Sequence, residues 1–239
     1  MTYNIHSGRG LDGRLNLERI ARVIAAERPD VVALQEVDFS RRRSRNLDQA
    51  GWLAQELGLH HIFGAARSWK QGAYGNALLS RFELVDWQPL LLPRPGRLPV
   101  ESRGLLQATL RTPIGLVGVW NTHLGLLAPE RRLQVAYLVK HLAWEAPLVV
   151  CGDFNARPRS KELLGLEAFL QRVPSQRTFP GILPFMQLDH VFHCPMLQPL
   201  HHYVVRTATA RQASDHLPLV VDLAPLGAVS SENRLEKSG

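Results

Sequence analysis

The sequence predicts an α+β domain in which β-sheets pack face to face and helices cover them from outside. Three observations carry this expectation. Strand-length apolar runs outnumber amphipathic helical stretches, several runs are apolar enough to be buried on both faces, and others are joined by short Pro- or Gly-containing bends into hairpins. A simple alternation of strand and helix, the signature of a doubly wound sheet, fits less well.

The elements follow in order. "MTYNI" reads as a first strand ending at Asn4. In "NLERIARVIAAERPD", Leu17, Ile20, Ala21 and Ile24 fall on one helical face, with Asn16 placed to cap the start and Pro29 just past the end. "VVALQ", residues 31–35, has the length of a buried strand. "LDQAGWLAQELG" is a second helix, opened near Asp48 and stopped by Gly58. "NALLS" and "ELVDW" are strands around Ser80 and Arg81. The stretch 88–102 holds Pro89, Pro93, Pro95 and Pro99, which cannot donate to a ladder or continue a helix, so a long loop is expected. "RGLLQATLR" and "GLVGVWNTHL" form a hairpin bent at Pro113 and Gly115. "APERRLQVAYLVKHLAWE" is a helix with Pro129 in its first turn. "PLVVCGDFN" is a strand running into a turn, and "SKELLGLEAFLQ" is a helix capped by Ser160. Strands recur at "LDHVFH", "HHYVVRT" and "LPLVVDL". No linker or repeat divides the chain, so one domain is expected over 1–224 and a flexible tail over 225–239.

Composition narrows the class. No apolar run reaches the roughly 18 residues a membrane helix needs, and the start lacks a secretory pattern. A cytoplasmic monomer is expected, with an upstream targeting segment left open should the start be trimmed. Cys151 and Cys194 are too few and too far apart for a disulfide framework or a zinc site, and Cys151 ends an apolar run as a buried thiol would. The formal charge is +7, and lysine occurs only at positions 70, 140, 161 and 237, so the basic surface is arginine. Guanidinium forks suit phosphate or carboxylate partners, although coding bias accounts for the usage equally well. The "RRRSR" run, Arg41 to Arg45, is the one local concentration.

The polar residues gather at strand borders. Asn4 ends one strand, Gln35 and Glu36 another, Asn121 and His123 a third, and Asp153 and Asn155 a fourth; Asp189 follows "MQL", and Asp215 with His216 precedes "LPLVV". Singly, each has a structural reading as a cap, a turn residue or an arginine partner. Together they form a carboxylate, amide and imidazole set where rigid strands would fix it beside open loops. The chain carries no GxSxG elbow, no GxxxxGK[ST] phosphate loop and no GxGxxG turn. Oxygen-rich ligands without thiolates favour a hard cation, Mg²⁺ or Mn²⁺, and added histidines can move protons or stabilise charge at phosphate. Metal-assisted attack of water on a phosphoester is the implied reaction. Among the remaining histidines, the adjacent pairs His60 with His61 and His201 with His202 are expected on the surface or in loops, and His6 in a hydrogen-bonded structural role.

The ordered blocks "TYNIH", "LQEVD", "GNALLSR", "NTHL", "GDFNA", "LDHVF" and "SDHLPL" resemble the endonuclease/exonuclease/phosphatase family over residues 2 to about 223. The resemblance implies a DNase I-like, four-layered αββα sandwich of two mixed β-sheets with helices outside. It implies that Glu36, Asn4 and Asp215 hold the metal, with Asn4 also placed to touch phosphate. It makes His216, charged and held by Asp189, the imidazole at the scissile phosphate, and Asp153 the residue that orients or deprotonates water. Asn155 would bind a phosphate oxygen and His123 would stabilise the pentacoordinate phosphorus. Asn76 would support His123, Tyr74 would line the cleft, and Asn121, Arg41, Arg42 and Arg43 would lie near substrate.

The blocks look most like uncharacterised bacterial hydrolases of this family, and they depart from exonuclease III-like AP endonucleases, which read more like "FNVNGLR" and "LQETK". The expected activity is a divalent-metal-dependent phosphodiesterase or phosphatase on an unidentified phosphoester. A DNA or RNA nuclease, including AP endonuclease-like activity, is the alternative; a catalytically silent binding module on the same fold is the alternative from another class. The tryptophans do not favour a nucleic-acid groove, because they are scattered and Trp52, Trp120 and Trp144 fall in core-like patterns.

Overall fold

The computed structural model describes residues 1–96, 99–143 and 145–227. The expected tail lies outside these residues from 228 onward, as does Trp144. In chain order the elements are β1 (Thr2–Asn4), α1 (Leu17–Glu27), β2 (Val31–Phe39), α2 (Gln49–Leu57), β3 (His60–Ser68), β4 (Ala73–Ser80), β5 (Glu83–Leu91), β6 (Gly104–Thr112), β7 (Gly115–His123), α3 (Ala128–His141), β8 (Leu148–Asp153), α4 (Leu164–Glu167), β9 (Gln171–Arg172), β10 (Asp189–His193), β11 (Leu197–Val204), α5 (Ala208–Ala213) and β12 (Leu219–Pro225).

Two six-stranded mixed sheets result. One runs β11-β12-β1-β2-β4-β3 and the other β5-β6-β7-β8-β10-β9. Pairing is parallel between β1 and β2 and between β7 and β8, and antiparallel elsewhere. The two-residue period of a strand decides which core each side chain joins. Along β6, β7 and β8, Leu106, Val119 and Cys151 point into the inter-sheet core, which they share with Leu34, Leu78 and the α1 and α2 residues Ile20 and Leu53. Their neighbours Leu105, Trp120 and Val150 point the other way, onto Leu138 of α3 and Leu166 of α4. Helix, sheet, sheet and helix therefore stack as the αββα sandwich anticipated from the blocks.

Local signals explain the boundaries. The Asn16 side chain accepts from Arg19 N at the start of α1, and the Asp48 side chain accepts from Gly51 N at the start of α2. Gly58 ends α2 at φ +66, where the absence of a Cβ removes the left-handed penalty.

Two expectations need correction, and two elements were not expected. Residues 60–68 form β3, which was not expected; His60 and His61 lie exposed on it, and His201 and His202 lie exposed in β11, within the strand expected at "HHYVVRT". The loop expected over 88–102 begins only after Leu91, because β5 is an edge strand and Pro89 needs no donor on its outer side. The helix expected over 160–171 shrinks to a 3₁₀ turn, Lys161–Leu163, followed by the four-residue α4, and the Ser160 side chain makes no cap bond. The α5 helix, opened by the Thr207 side chain accepting from Ala210 N, was not expected.

Candidate active site

The strand ends converge at one edge of the sandwich. In the second sheet, His123 of β7 lies in register with Asp153 of β8, and Asp153 lies opposite Asp189 of β10. Adjacent strands thus put an imidazole and two carboxylates in one row. From the first sheet, Asn4 reaches across: its Nδ2 donates to Asp153 Oδ2 at 3.0 Å and to Glu36 Oε1 at 3.1 Å, while its Oδ1 accepts from His6 N.

Glu36 owes its orientation to a distortion of β2. The register with β4 slips between Leu34 and Val37, and Glu36 has φ +58, a backbone conformation that costs a β-strand residue on the order of 1–2 kcal/mol. Asn155 at φ +48 and His6 at φ +46 share this strain, which clusters at the same edge. Asn155 N donates to Asp153 Oδ1 at 2.9 Å, so the left-handed turn after β8 fixes the carboxylate.

His216 enters from the turn before β12. Its Nδ1 donates to Asp189 Oδ2 at 2.9 Å, and its Nε2 lies 3.6 Å from Asp153 Oδ2. Burial alone would push this imidazole down, but the Asp189 and Asp153 carboxylates outweigh burial and push it up to about 10. His123 goes the other way. Burial first, then the positive charges of Arg103 and His216, hold it well below its ordinary value. Arginine has no acceptor, so the 3.1 Å contact of Arg103 Nη1 with His123 Nδ1 makes Nδ1 the bare nitrogen. Its Nε2 lies 3.1 Å from Asn155 Nδ2, which also donates to Leu124 O at 2.9 Å, and 3.4 Å from Asp153 Oδ2. Asp153 is pushed up to about 6, by burial most of all and further by Asp189, against the pull of His216. The site therefore pairs a charged imidazole with a neutral one across a carboxylate poised near neutrality.

Glu36 and Asp215 are half-buried. Among the described residues no lysine, arginine or histidine stands within ion-pair distance of Glu36, whose side-chain partner is the Asn4 amide. Asp215 has the His6 ring at 3.9 Å and the Ser214 hydroxyl at 3.3 Å. Glu36, strained and uncompensated beside the Asn4 amide, and Asp215, a second accessible acid, offer oxygen ligands of the kind a hard divalent cation takes. The atoms of Asp153, Asp189 and His216 also lie within 4.8 Å of one another. That group fits a cation poorly, because a protonated imidazole donating to Asp189 has no lone pair to offer.

The remaining candidates separate. Tyr74 is buried, and burial with the Glu36 charge beside it pushes its phenol up. Arg43 gives its fork to Asp38 at 2.7 and 2.8 Å and to Ser7, and its guanidinium stands over Tyr74. Arg41 stacks on Trp69 at 3.5 Å, and Arg42 is exposed. Asn76 donates to the Gly104 and Asn121 carbonyls rather than to His123, whose support comes from Arg103. Asn121 is fully buried and donates to Leu34 O and Ala77 O, tying the two sheets together away from the site edge. His6 is not hydrogen-bonded through its ring: Nδ1 is buried without a hydrogen-bond partner. Sequence reasoning missed Arg103, hidden at the end of a proline-rich stretch, and Phe179, whose ring packs 4.8 Å from His216. It also missed Ser214, whose hydroxyl donates to Asn4 O at 2.8 Å.

Two stacked mixed sheets with this acid, amide and imidazole set at one edge define a DNase I-like hydrolase fold. The chain belongs to the Endonuclease/Exonuclease/phosphatase family, whose model matches residues 1–216. It is 28% identical to the uncharacterized protein YbhP of Escherichia coli K12 over 250 aligned positions, covering 93% of this chain and 94% of that protein. The crystal structure of an endonuclease/exonuclease/phosphatase from Beutenbergia cavernae is 28% identical with a TM-score of 0.75, covering 94% of this chain and 70% of that one. The Bacteroides thetaiotaomicron mannosyl-6-phosphatase Bt3783 shares the fold at 18% identity and a TM-score of 0.77, covering 93% of this chain and 98% of that one.

Proposed function

We propose that the protein is a divalent-metal-dependent phosphoesterase that hydrolyses its substrate by in-line attack of water. The observation that carries this reading is the three-way junction at Asp153 Oδ2, reached by Asn4 at 3.0 Å, His123 Nε2 at 3.4 Å and His216 Nε2 at 3.6 Å.

Glu36, Asn4 and Asp215 would hold a Mg²⁺ or Mn²⁺ ion, which supplies positive charge to a phosphate oxygen when bound. Asp153, pushed up to about 6, has the proton affinity to accept a proton from water near neutral pH. His216 stays charged because Asp189 compensates it, so it can neutralise a phosphate oxygen without titrating. His123, held neutral by burial and by Arg103, presents an uncharged ring to the site, and Asn155 adds an amide beside it. Phe179 over His216 excludes water from that charge. These groups align and compensate charge rather than form a covalent intermediate, as displacement at phosphorus requires.

Bis-p-nitrophenyl phosphate, p-nitrophenyl phosphate, phospholipids, inositol phosphates, plasmid and abasic duplex, each with Mg²⁺ or Mn²⁺ and with EDTA, form the decisive panel. EDTA-sensitive turnover of a small phosphoester is expected. Preferential cutting of plasmid or abasic duplex would favour the nuclease reading, and inertness toward the whole panel would leave a silent binding module.

A further inference from the structure

Beside the catalytic edge lies a cavity of about 550 Å³ that no residue assigned above lines. Its walls include Arg157, Arg177 and Arg206 together with Pro184, Phe185 and Met186, and no aspartate or glutamate lines it. Among the described residues none of these three arginines has an ion-pair partner, whereas Arg19, Arg43, Arg103 and Arg131 all do. Arg206 Nη2 reaches only the Arg177 carbonyl at 3.4 Å, and Arg157 Nη2 only Met186 Sδ at 3.7 Å. Three uncompensated guanidiniums facing one concavity repel one another, and an anion between them would relieve that cost. Phe185 is 60% exposed at the rim, next to Ile182 at 66% and Leu183 at 74%, so apolar surface adjoins the cationic wall.

The loop that builds this cavity is the one that contacts the site. Arg157 follows Asn155 by two residues, and Gln187, another lining residue, precedes Asp189 by two. Between them Phe179 packs on His216, and Gly181 N donates to Asp215 O. A ligand seated among the arginines therefore abuts the residues proposed to act on phosphate.

We propose that this cavity is an anion subsite for a phosphoryl group other than the one hydrolysed, carried on a substrate with an apolar or planar portion that covers Phe185. The assignment rests on the phosphoesterase reading for its connection to catalysis, but its anion binding does not. A polyphosphorylated soluble compound and a phospholipid headgroup offer the same chemistry, and the test separates them.

Pyrophosphate is titrated calorimetrically into the full chain in EDTA, and in parallel the chain is sedimented with vesicles of phosphatidylcholine and phosphatidylglycerol. Arg177→Ala and Arg206→Ala should each weaken binding about tenfold, the loss of one charge-assisted contact, and Arg177→Glu with Arg206→Glu should abolish it. Both substituted positions are exposed, and thermal melts of the variants show whether the fold is kept. Glu36→Ala should leave the binding in place. Arginine-dependent pyrophosphate binding supports a soluble substrate, and arginine-dependent vesicle binding without it supports a lipid. Binding in neither arm, or binding that survives charge reversal, overturns the subsite. Turnover alongside such a failure would refute the subsite alone; arginine-dependent binding without turnover of any phosphoester would refute hydrolysis alone.

Discussion

Replacing Asp189 by asparagine tests whether the charge on His216 is built into the fold. The parent imidazole is pushed from 6.5 to about 10, which corresponds to roughly 5 kcal/mol of preference for the charged ring. Burial opposes that preference, and Asp189 is its strongest support, in charge and through the 2.9 Å hydrogen bond. With the carboxylate gone, burial is opposed only by Asp153 and Asp215, and the ring should titrate at lower pH than in the parent. NMR titration of the His216 ring in the apo protein measures this directly. Stability should follow with a definite sign: a pKa raised on folding gives stabilisation that is full below the unfolded value of 6.5 and is lost as pH rises through about 10. The melting gap between parent and Asp189→Asn should therefore be widest near about pH 6 and close toward about pH 10. Turnover of a phosphoester should fall about 10²–10⁴-fold, the usual worth of one positioned acid–base group. An unchanged His216 titration in the variant would refute the reasoning.

Arg103→Met removes a positive charge and the donor to His123 Nδ1, so the His123 ring should titrate at higher pH than in the parent, and an unaltered NMR titration would show that Arg103 does not set its state. Gly152 has φ +144 and a Cβ there would stand 1.9 Å from Thr122 O, so Gly152→Ala should destabilise by about 1–3 kcal/mol in denaturant and displace the adjacent Asp153; full stability would show the strand yields easily. Asn4→Leu removes the amide linking Glu36 to Asp153 and should cost about 1–3 kcal/mol by denaturation, together with tighter-than-expected loss of turnover; a neutral stability change would mean water replaces the amide.

The parts of this fold that declared themselves in the sequence were those where one local signal sufficed. Asn16, Asp48 and Gly58 bounded helices by chemistry that acts within one turn. The β3 strand was hidden because "HHIFGAARS" has few β-branched residues and exposes one face, so its identity comes from pairing with β4. Pro89 disguised the end of β5 because edge position is a property of the sheet. Leu163, Leu166 and Leu170 keep helical spacing through a 3₁₀ turn and a bend, which periodicity alone reads as one long helix. For the site, strand borders located the polar residues, yet Asn121 has the same composition and border position as Asn4 and faces the inter-sheet core. Which face a border residue takes depends on register. Arg103 and Phe179 lie outside any strand and meet His123 and His216 only through the tertiary fold.

The central claim is that Glu36, from the first sheet, and His216, beside the second-sheet acids, serve one reaction. Turnover of bis-p-nitrophenyl phosphate with Mn²⁺ by the parent, Glu36→Ala and His216→Ala tests it most directly. Each variant should lose at least about 10²-fold, the scale of a removed transition-state stabiliser, with folding verified by melting. Variants that turn over as fast as the parent would contradict the account.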